Sequence, residues 1–170
     1  MGQVVDLSQL LIETRSLRAA GRSLVTTNGS FDLFHVGHLE MLEFAKRQGN
    51  ILIVGINSDA SCRAYKGPDR PIVPCSQRMR LVAALICTDY VFSFDELDPR
   101  AFLEQLKPDV HVNGAEYGEN CIEADTVRRN GGRLVLFPRI EGLATTEMLN
   151  KAQRMASELL PSERNPGRIL

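Results

Sequence analysis

The sequence contains no tryptophan, three histidines and four cysteines, and aromatic residues make up only 6% of it. Each scarcity excludes something. None of Cys62, Cys75, Cys87 and Cys121 stands in a C-x-x-C pair, so zinc and thioredoxin-like chemistry lack their usual residues. Four free thiols in a cytosolic protein is the simplest reading, with a disulfide left open and Cys87 in "LVAALIC" taken as core. Neither charge sign dominates. Lys plus Arg is 20 and Asp plus Glu is 21, a net charge of −1. Such a chain has no global field for nucleic acid or an anionic membrane, so any anion must be held by a local site. No apolar run approaches the roughly 18 residues of a membrane span. The start "MGQVVDLSQL" lacks the layout of a signal peptide, and Asp6 stands where myristoylation wants Ser or Thr. The expectation is a cytoplasmic protein with neither membrane nor nucleic acid as partner. The two common phosphate-binding fingerprints, G-x-x-x-x-G-K-[ST] and G-x-G-x-x-G, are also missing.

What is present is 170 residues, 44% of them hydrophobic, enough for one domain with a real core. Residues 6–20 read as a helix stopped by Gly21, and 23–28 as a β-branched strand. Residues 37–48 carry one broad apolar helical face ending at Gly49. The run "ILIVGIN" at 51–57 suits a central parallel strand. Residues 58–75, rich in Pro, Gly, Ser and charge, read as a loop, and 76–87 as a helix capped by Ser76. Further strands are expected at 89–94, 108–113 and within 131–138. Further helices are expected at 99–106, 122–130 and 144–160, leaving 161–170 as a loose tail. Alternation of this kind predicts an α/β, Rossmann-like, doubly wound parallel sheet of about five strands with helices on both faces. One domain would cover 1–160. Ligands of such sheets bind at the carboxyl ends of the strands where the strand order reverses.

The carboxyl end of the first expected strand is Asn28, and "NGSFDLFHVGHLE" follows at once. Gly29 lets backbone approach a ligand, and the coming helix offers free N–H groups and a positive dipole end. Two of the three histidines, His35 and His38, flank Gly37 at that helix entrance. Imidazoles there can donate to a phosphate without carrying a permanent charge. Taken alone, they could equally be turn and cap residues.

The longer string decides between these. "GSFDLFHVGH" resembles the G-[TSV]-F-D-x-x-H-x-G-H signature of the nucleotidyltransferase superfamily, in its cytidylyltransferase-like branch. The resemblance runs from about residue 22 to 152. "VGINSDASCRAYKGPDRPIVPCSQRMRLVAAL" and "KPDVHVNGAEY" resemble the bacterial D-glycero-β-D-manno-heptose 1-phosphate adenylyltransferases, as does the closing "EGLATTEML". Glycerol-3-phosphate cytidylyltransferases share the first and last motifs. This chain departs from the heptose pattern at Asn113, where lysine is usual, at Ala115 and Glu116 for Gly-Asp, and at Ala144 for serine. The relatives often carry a fused sugar kinase, for which this length leaves no room.

The resemblance implies transfer of a nucleotidyl group, with AMP from ATP passing to a heptose 1-phosphate and giving ADP-heptose for lipopolysaccharide. The alternatives are a glycerol-3-phosphate or other alcohol-phosphate cytidylyltransferase and, in another class, a non-catalytic nucleotide-binding module. It implies catalytic roles for His35, His38 and Lys66. It implies nucleotide or substrate contacts from Asn28, Gly29, Ser30, Phe31, Asp32, Gly37, Arg78, Asn113, Gly114, Glu116, Arg139, Thr145 and Thr146, with Arg70 a weaker candidate. Asp32 is expected to help order its loop. His111, inside a strand, reads as structural. Mg²⁺ is expected to arrive with the triphosphate rather than in a protein cage, and a homodimer is expected.

Overall fold

A computed structural model describes residues 1–138 and 145–159; of 145–148 and 158–159 it describes the backbone alone. Six parallel strands form one sheet: β1 (Gln3–Val4), β2 (Leu24–Gly29), β3 (Ile51–Asn57), β4 (Tyr90–Phe94), β5 (Val110–Gly114) and β6 (Arg133–Phe137). Their order is β1-β4-β3-β2-β5-β6. From β2 the chain winds outward through β3 and β4, then returns to lay β5 on the other side of β2. The strand order therefore reverses between β2 and β5, and the carboxyl ends of those two strands are Asn28–Gly29 and Asn113–Gly114. The sheet has one strand more than expected. Gln3 and Val4 pair with Tyr90 and Val91 at the edge, two residues too few to leave a period in the sequence.

The helices are α1 (Leu7–Ala19), α2 (Val36–Lys46), α3 (Asp59–Lys66), α4 (Cys75–Ala83), α5 (Arg100–Leu106), α6 (Ala124–Arg129) and α7 (Thr145–Leu159). Strand residues alternate between two cores, as a period of two dictates. Val25, Leu52, Val54, Ile56, Val91, Val110 and Val112 pack with Leu42 of α2 and Val82 of α4. Leu24, Ile51, Ile53, Phe92 and Phe94 pack with Leu10 of α1, Phe102 and Leu103 of α5 and Val127 of α6. Gly55 belongs to the second face. A Cβ there would meet Phe92, Phe94 and Phe102 at 3.3–3.4 Å, so the glycine leaves room for their edge-on packing at 5.0–5.1 Å.

Two expectations fail locally. The segment 58–75 is not all loop. Ser58 accepts a hydrogen bond from the Ser61 N–H (3.2 Å) and starts α3, which buries Ser61 and Cys62 against the sheet. Ser76 is not a cap either. α4 begins one residue earlier behind Pro74, with no side-chain cap, and stops at Ala83 rather than Cys87.

Candidate active site

The loop after β2 is held in an uncommon shape. Phe31 and Leu33 have φ of +47° and +48°, the left-handed region that costs a non-glycine residue about 1–2 kcal/mol. Asp32 lies between them and is 1% exposed. Its carboxylate accepts from the Ile72 N–H (3.0 Å), the Val73 N–H (2.9 Å) and Arg70 Nε (2.9 Å). Burial pushes its pKa up, but the two backbone donors and the Arg70 guanidinium outweigh it and hold the carboxyl below its usual value. Asp32 thus fastens the segment 70–73 to the β2 loop and orders that loop.

Arg78 is held by protein groups in the same way. It is 1% exposed. Its Nε donates to the Val73 carbonyl (2.8 Å), Nη1 to the Ser30 carbonyl and Nη2 to Asp59 (2.8 Å). A guanidinium with every nitrogen engaged by protein positions Ser30 from behind. Arg70 is likewise committed to Asp32, with Nη2 2.6 Å from the carboxylate.

Both histidines cap the helix that follows. His35 is the N-cap of α2, its Nδ1 accepting from the Gly37 N–H (3.1 Å). His38 completes a reciprocal capping box, its Nδ1 accepting from the His35 N–H (3.3 Å). Because both Nδ1 atoms accept, a neutral ring must carry its proton on Nε2, which is the donor left for a ligand. The rings stack with centroids 3.8 Å apart, and Phe31 and Phe34 flank His38 at 5.3 and 5.4 Å. Burial first, then the neighbouring His35 and Lys66, pull the pKa of His38 down to about 4. Burial also lowers that of His35. At neutral pH both are uncharged donors with fixed tautomers.

A cleft of about 170 Å³ opens at the switch point. It is lined by Asn28, Gly29, Ser30 and Phe31 from β2 and its loop, and by His38 from α2. Lys66 ends α3, and Asn113, Gly114 and Glu116 follow from β5. Lys66 Nζ donates to Ser30 Oγ (2.7 Å) across it, its pKa lowered by burial and by Arg70. His35 and Gly37 are not part of the lining itself; His35 caps α2 through the Gly37 N–H and stacks its ring on His38 at the edge of the cleft. Larger grooves lie between α5 and α6 and beside α2 and α4, about 540 and 640 Å³. In the first, both arginines are engaged by carboxylates, Arg100 by Asp98 and Arg129 by Glu104, and the second is lined mainly by apolar groups, so neither gathers donors as the smaller cleft does. Arg139 lies outside the described residues, as does Ala144. Thr145 and Thr146 begin α7, and their side chains lie outside the described set.

The model of one family, described as cytidylyltransferase-like, matches residues 26–156. The chain belongs to the cytidylyltransferase-like family. That membership makes it a nucleotidyltransferase. Among similar proteins, the bifunctional protein HldE of Azotobacter vinelandii is 43% identical over 152 residues, 89% of this chain and 32% of that protein. HldE of Trichlorobacter lovleyi is 46% identical over 135 residues, 79% and 28% of the two lengths. The chain therefore spans about a third of the relatives it matches. A solved lipopolysaccharide core biosynthesis protein from Thermoplasma volcanium is 26% identical, with a TM-score of 0.57 over 71% of this chain and 98% of that one. A Francisella tularensis pantoate-β-alanine ligase, solved with an ATP analogue and β-alanine, is 13% identical with a TM-score of 0.63 over 97% and 82%. It shares the fold alone.

In this cytidylyltransferase-like site, three lining residues lie outside the sequence expectation: Met41, Tyr65 and Tyr117. Tyr65 was obscured because α3 read as loop, so no face could be assigned to it. Burial raises its pKa to about 12, so it remains a neutral phenol. Tyr117 directly follows Glu116 in a 3₁₀ turn at Ala115–Tyr117, and the adjacency was its only signal. Asn113 lines the cleft with its side chain held by protein groups. Nδ2 donates to Glu123, and Oδ1 accepts from the Gly114 N–H (2.9 Å).

Proposed function

We propose that the chain transfers AMP from ATP to a heptose 1-phosphate, D-glycero-β-D-manno-heptose 1-phosphate, giving ADP-heptose and pyrophosphate. One observation carries this reading: two neutral, tautomer-fixed imidazoles stand beside Lys66 where strand order reverses. A phosphate monoester has a second pKa near 6 and is largely dianionic at neutral pH. It is already the nucleophile. Its oxygen attacks the α-phosphorus, the bond from that phosphorus to the bridging oxygen breaks, and pyrophosphate leaves. No general base is needed. The remaining task is to hold two anions together and to stabilise charge on the oxygens.

The residues suit that task. The Nε2–H groups of His38 and His35 donate to α- and β-phosphate oxygens, and Lys66 turns from Ser30 to the phosphates as a local cation. Among the described residues no group of three His, Cys, Asp or Glu is arranged to hold a metal, and Asp32 is committed to its loop. We expect Mg²⁺ to come with the triphosphate, where it would neutralise charge. Thr145 and Thr146, which begin α7, and Arg139 are proposed to meet the substrate. We place the protein in the cytoplasm as a homodimer; no helix among the described residues is long and apolar enough to cross a membrane.

Pyrophosphate release with each of the four nucleoside triphosphates, against heptose 1-phosphate and glycerol 3-phosphate, tests this. Turnover is expected with ATP and heptose 1-phosphate. Turnover only with CTP and glycerol 3-phosphate would overturn it. Binding of nucleotide without turnover on any pair would favour a regulatory module. His38→Ala is expected to lower turnover about 10²–10³-fold, the scale of one lost transition-state donor. Near-normal turnover would contradict the role assigned to it.

A further inference from the structure

Beneath the β5 side of the cleft lies a polar network that the transfer chemistry does not use. Thr26 of β2 and His111 of β5 are register neighbours, with Thr26 Oγ1 2.8 Å from His111 Nδ1. His111 is fully buried, and its Nε2 stands 3.7 Å from Glu123 Oε1. Glu123, the residue before α6, is 4% exposed, and the same Oε1 accepts from Asn113 Nδ2. Burial pushes the Glu123 carboxyl up, but His111 and the other donors, Cys121 among them, bring it below its usual value. It is an anion in the floor of the site.

An ionised carboxylate only accepts hydrogen bonds. It therefore dictates which way the Asn113 carboxamide faces. A flipped amide would set its oxygen against the carboxylate and its NH₂ against the Gly114 N–H, two repulsive contacts in a buried place. With Oδ1 engaged by Gly114 and one N–H by Glu123, the second N–H of the amide meets only the Cys121 thiol, a weak acceptor that a ligand nitrogen in the cleft would displace. The charge pattern says which part of a nucleotide can meet it. Glu123 lies below, and the Glu116 carboxylate folds over Gly114, where an added Cβ would fall 2.3 Å from its oxygen. Two carboxylates repel phosphate from this half, while Lys66 and the imidazoles attract it to the other. Tyr117 at the rim suits a flat ring.

We infer that Glu123 is a positioning residue that fixes the Asn113 amide as a donor to an acceptor nitrogen of the nucleobase. This rests on the proposed use of ATP. The test is equilibrium binding of ATP and its 1-deaza, 3-deaza and 7-deaza analogues, each lacking one ring acceptor. Wild-type protein should bind one analogue about tenfold or more weakly than ATP. Glu123→Leu removes the acceptor at similar volume and should bind ATP and that analogue alike. Glu123→Gln keeps an acceptor oxygen and should preserve the difference, which a purely structural role for the buried charge would not predict. Asn113→Ala should lose the difference too, and serves if Glu123→Leu does not fold. Discrimination that survives in Glu123→Leu or Asn113→Ala overturns the inference, as do wild-type affinities equal for all four ligands. Wild-type protein that fails to bind ATP at all overturns the proposed function and the inference together.

Discussion

At the scale of single residues, the unusual feature is a pair of histidines that both use Nδ1 to cap one helix start and so carry the proton of the neutral ring on Nε2. Capping consumes Nδ1 of each ring and so fixes the tautomer and orientation. Burial keeps His38 uncharged in the free protein. The sign of the resulting pH dependence follows. The folded-state pKa of about 4 lies below the ordinary 6.5, so on acidification the unfolded chain takes up the proton first. The His38 contribution therefore costs stability progressively as pH falls from about 6.5 towards 4, and the cost is absent above that window. Nuclear magnetic resonance of the His38 ring in nucleotide-free protein should show the neutral Nε2–H form from pH 8 down to 5. A titration centred near 6.5 would contradict the burial argument. Bound phosphate, which favours the imidazolium, should move the midpoint upward.

Among elements, the site depends on a clamp. The β2 loop carries two residues in left-handed backbone, and the α3–α4 connection has little regular structure of its own. Asp32 joins the two through three hydrogen bonds and an ion pair, and Arg78 ties both to Asp59 at the start of α3. The clamp places Lys66, at the end of α3, over Ser30. Removing one partner of a buried ion pair leaves the others unsatisfied and costs about 3 kcal/mol. Asp32→Ala should lose about that much in denaturant unfolding and become open to limited proteolysis within 67–74. A loss under about 0.5 kcal/mol would show that the loop holds itself.

The same elements show what a sequence can reveal. β3 is a continuous apolar run, and its bounds, 51–57, are those read from the pattern alone. The histidine string was legible because its parts are contiguous. α3 was not, because its helical signal is a Ser58 cap and two small buried residues inside a stretch dense in Gly and Pro. Arg78 reads as a cation at a helix start; only tertiary packing shows it buried. Glu123 lies ten residues beyond Asn113 with nothing regular between them but the short 3₁₀ turn, so their contact is a property of the fold.

For the whole molecule, a net charge of −1 gives no long-range pull on a triphosphate, so affinity must come from the cleft itself. Sheet order supplies the place. It sets β2 beside β5 and leaves their carboxyl ends diverging, with donors on one side and carboxylates on the other. At about 170 Å³ the cleft is smaller than the roughly 300–1,000 Å³ of most small-molecule sites. A nucleotide would therefore extend past it over the exposed rim at Tyr65 and Tyr117. The most direct test is a crystal structure with a non-hydrolysable ATP analogue. The account predicts phosphate oxygens about 3 Å from Nε2 of His38 and His35 and from Lys66 Nζ, with the base towards β5. A triphosphate seated elsewhere, with both imidazoles out of reach, would contradict it.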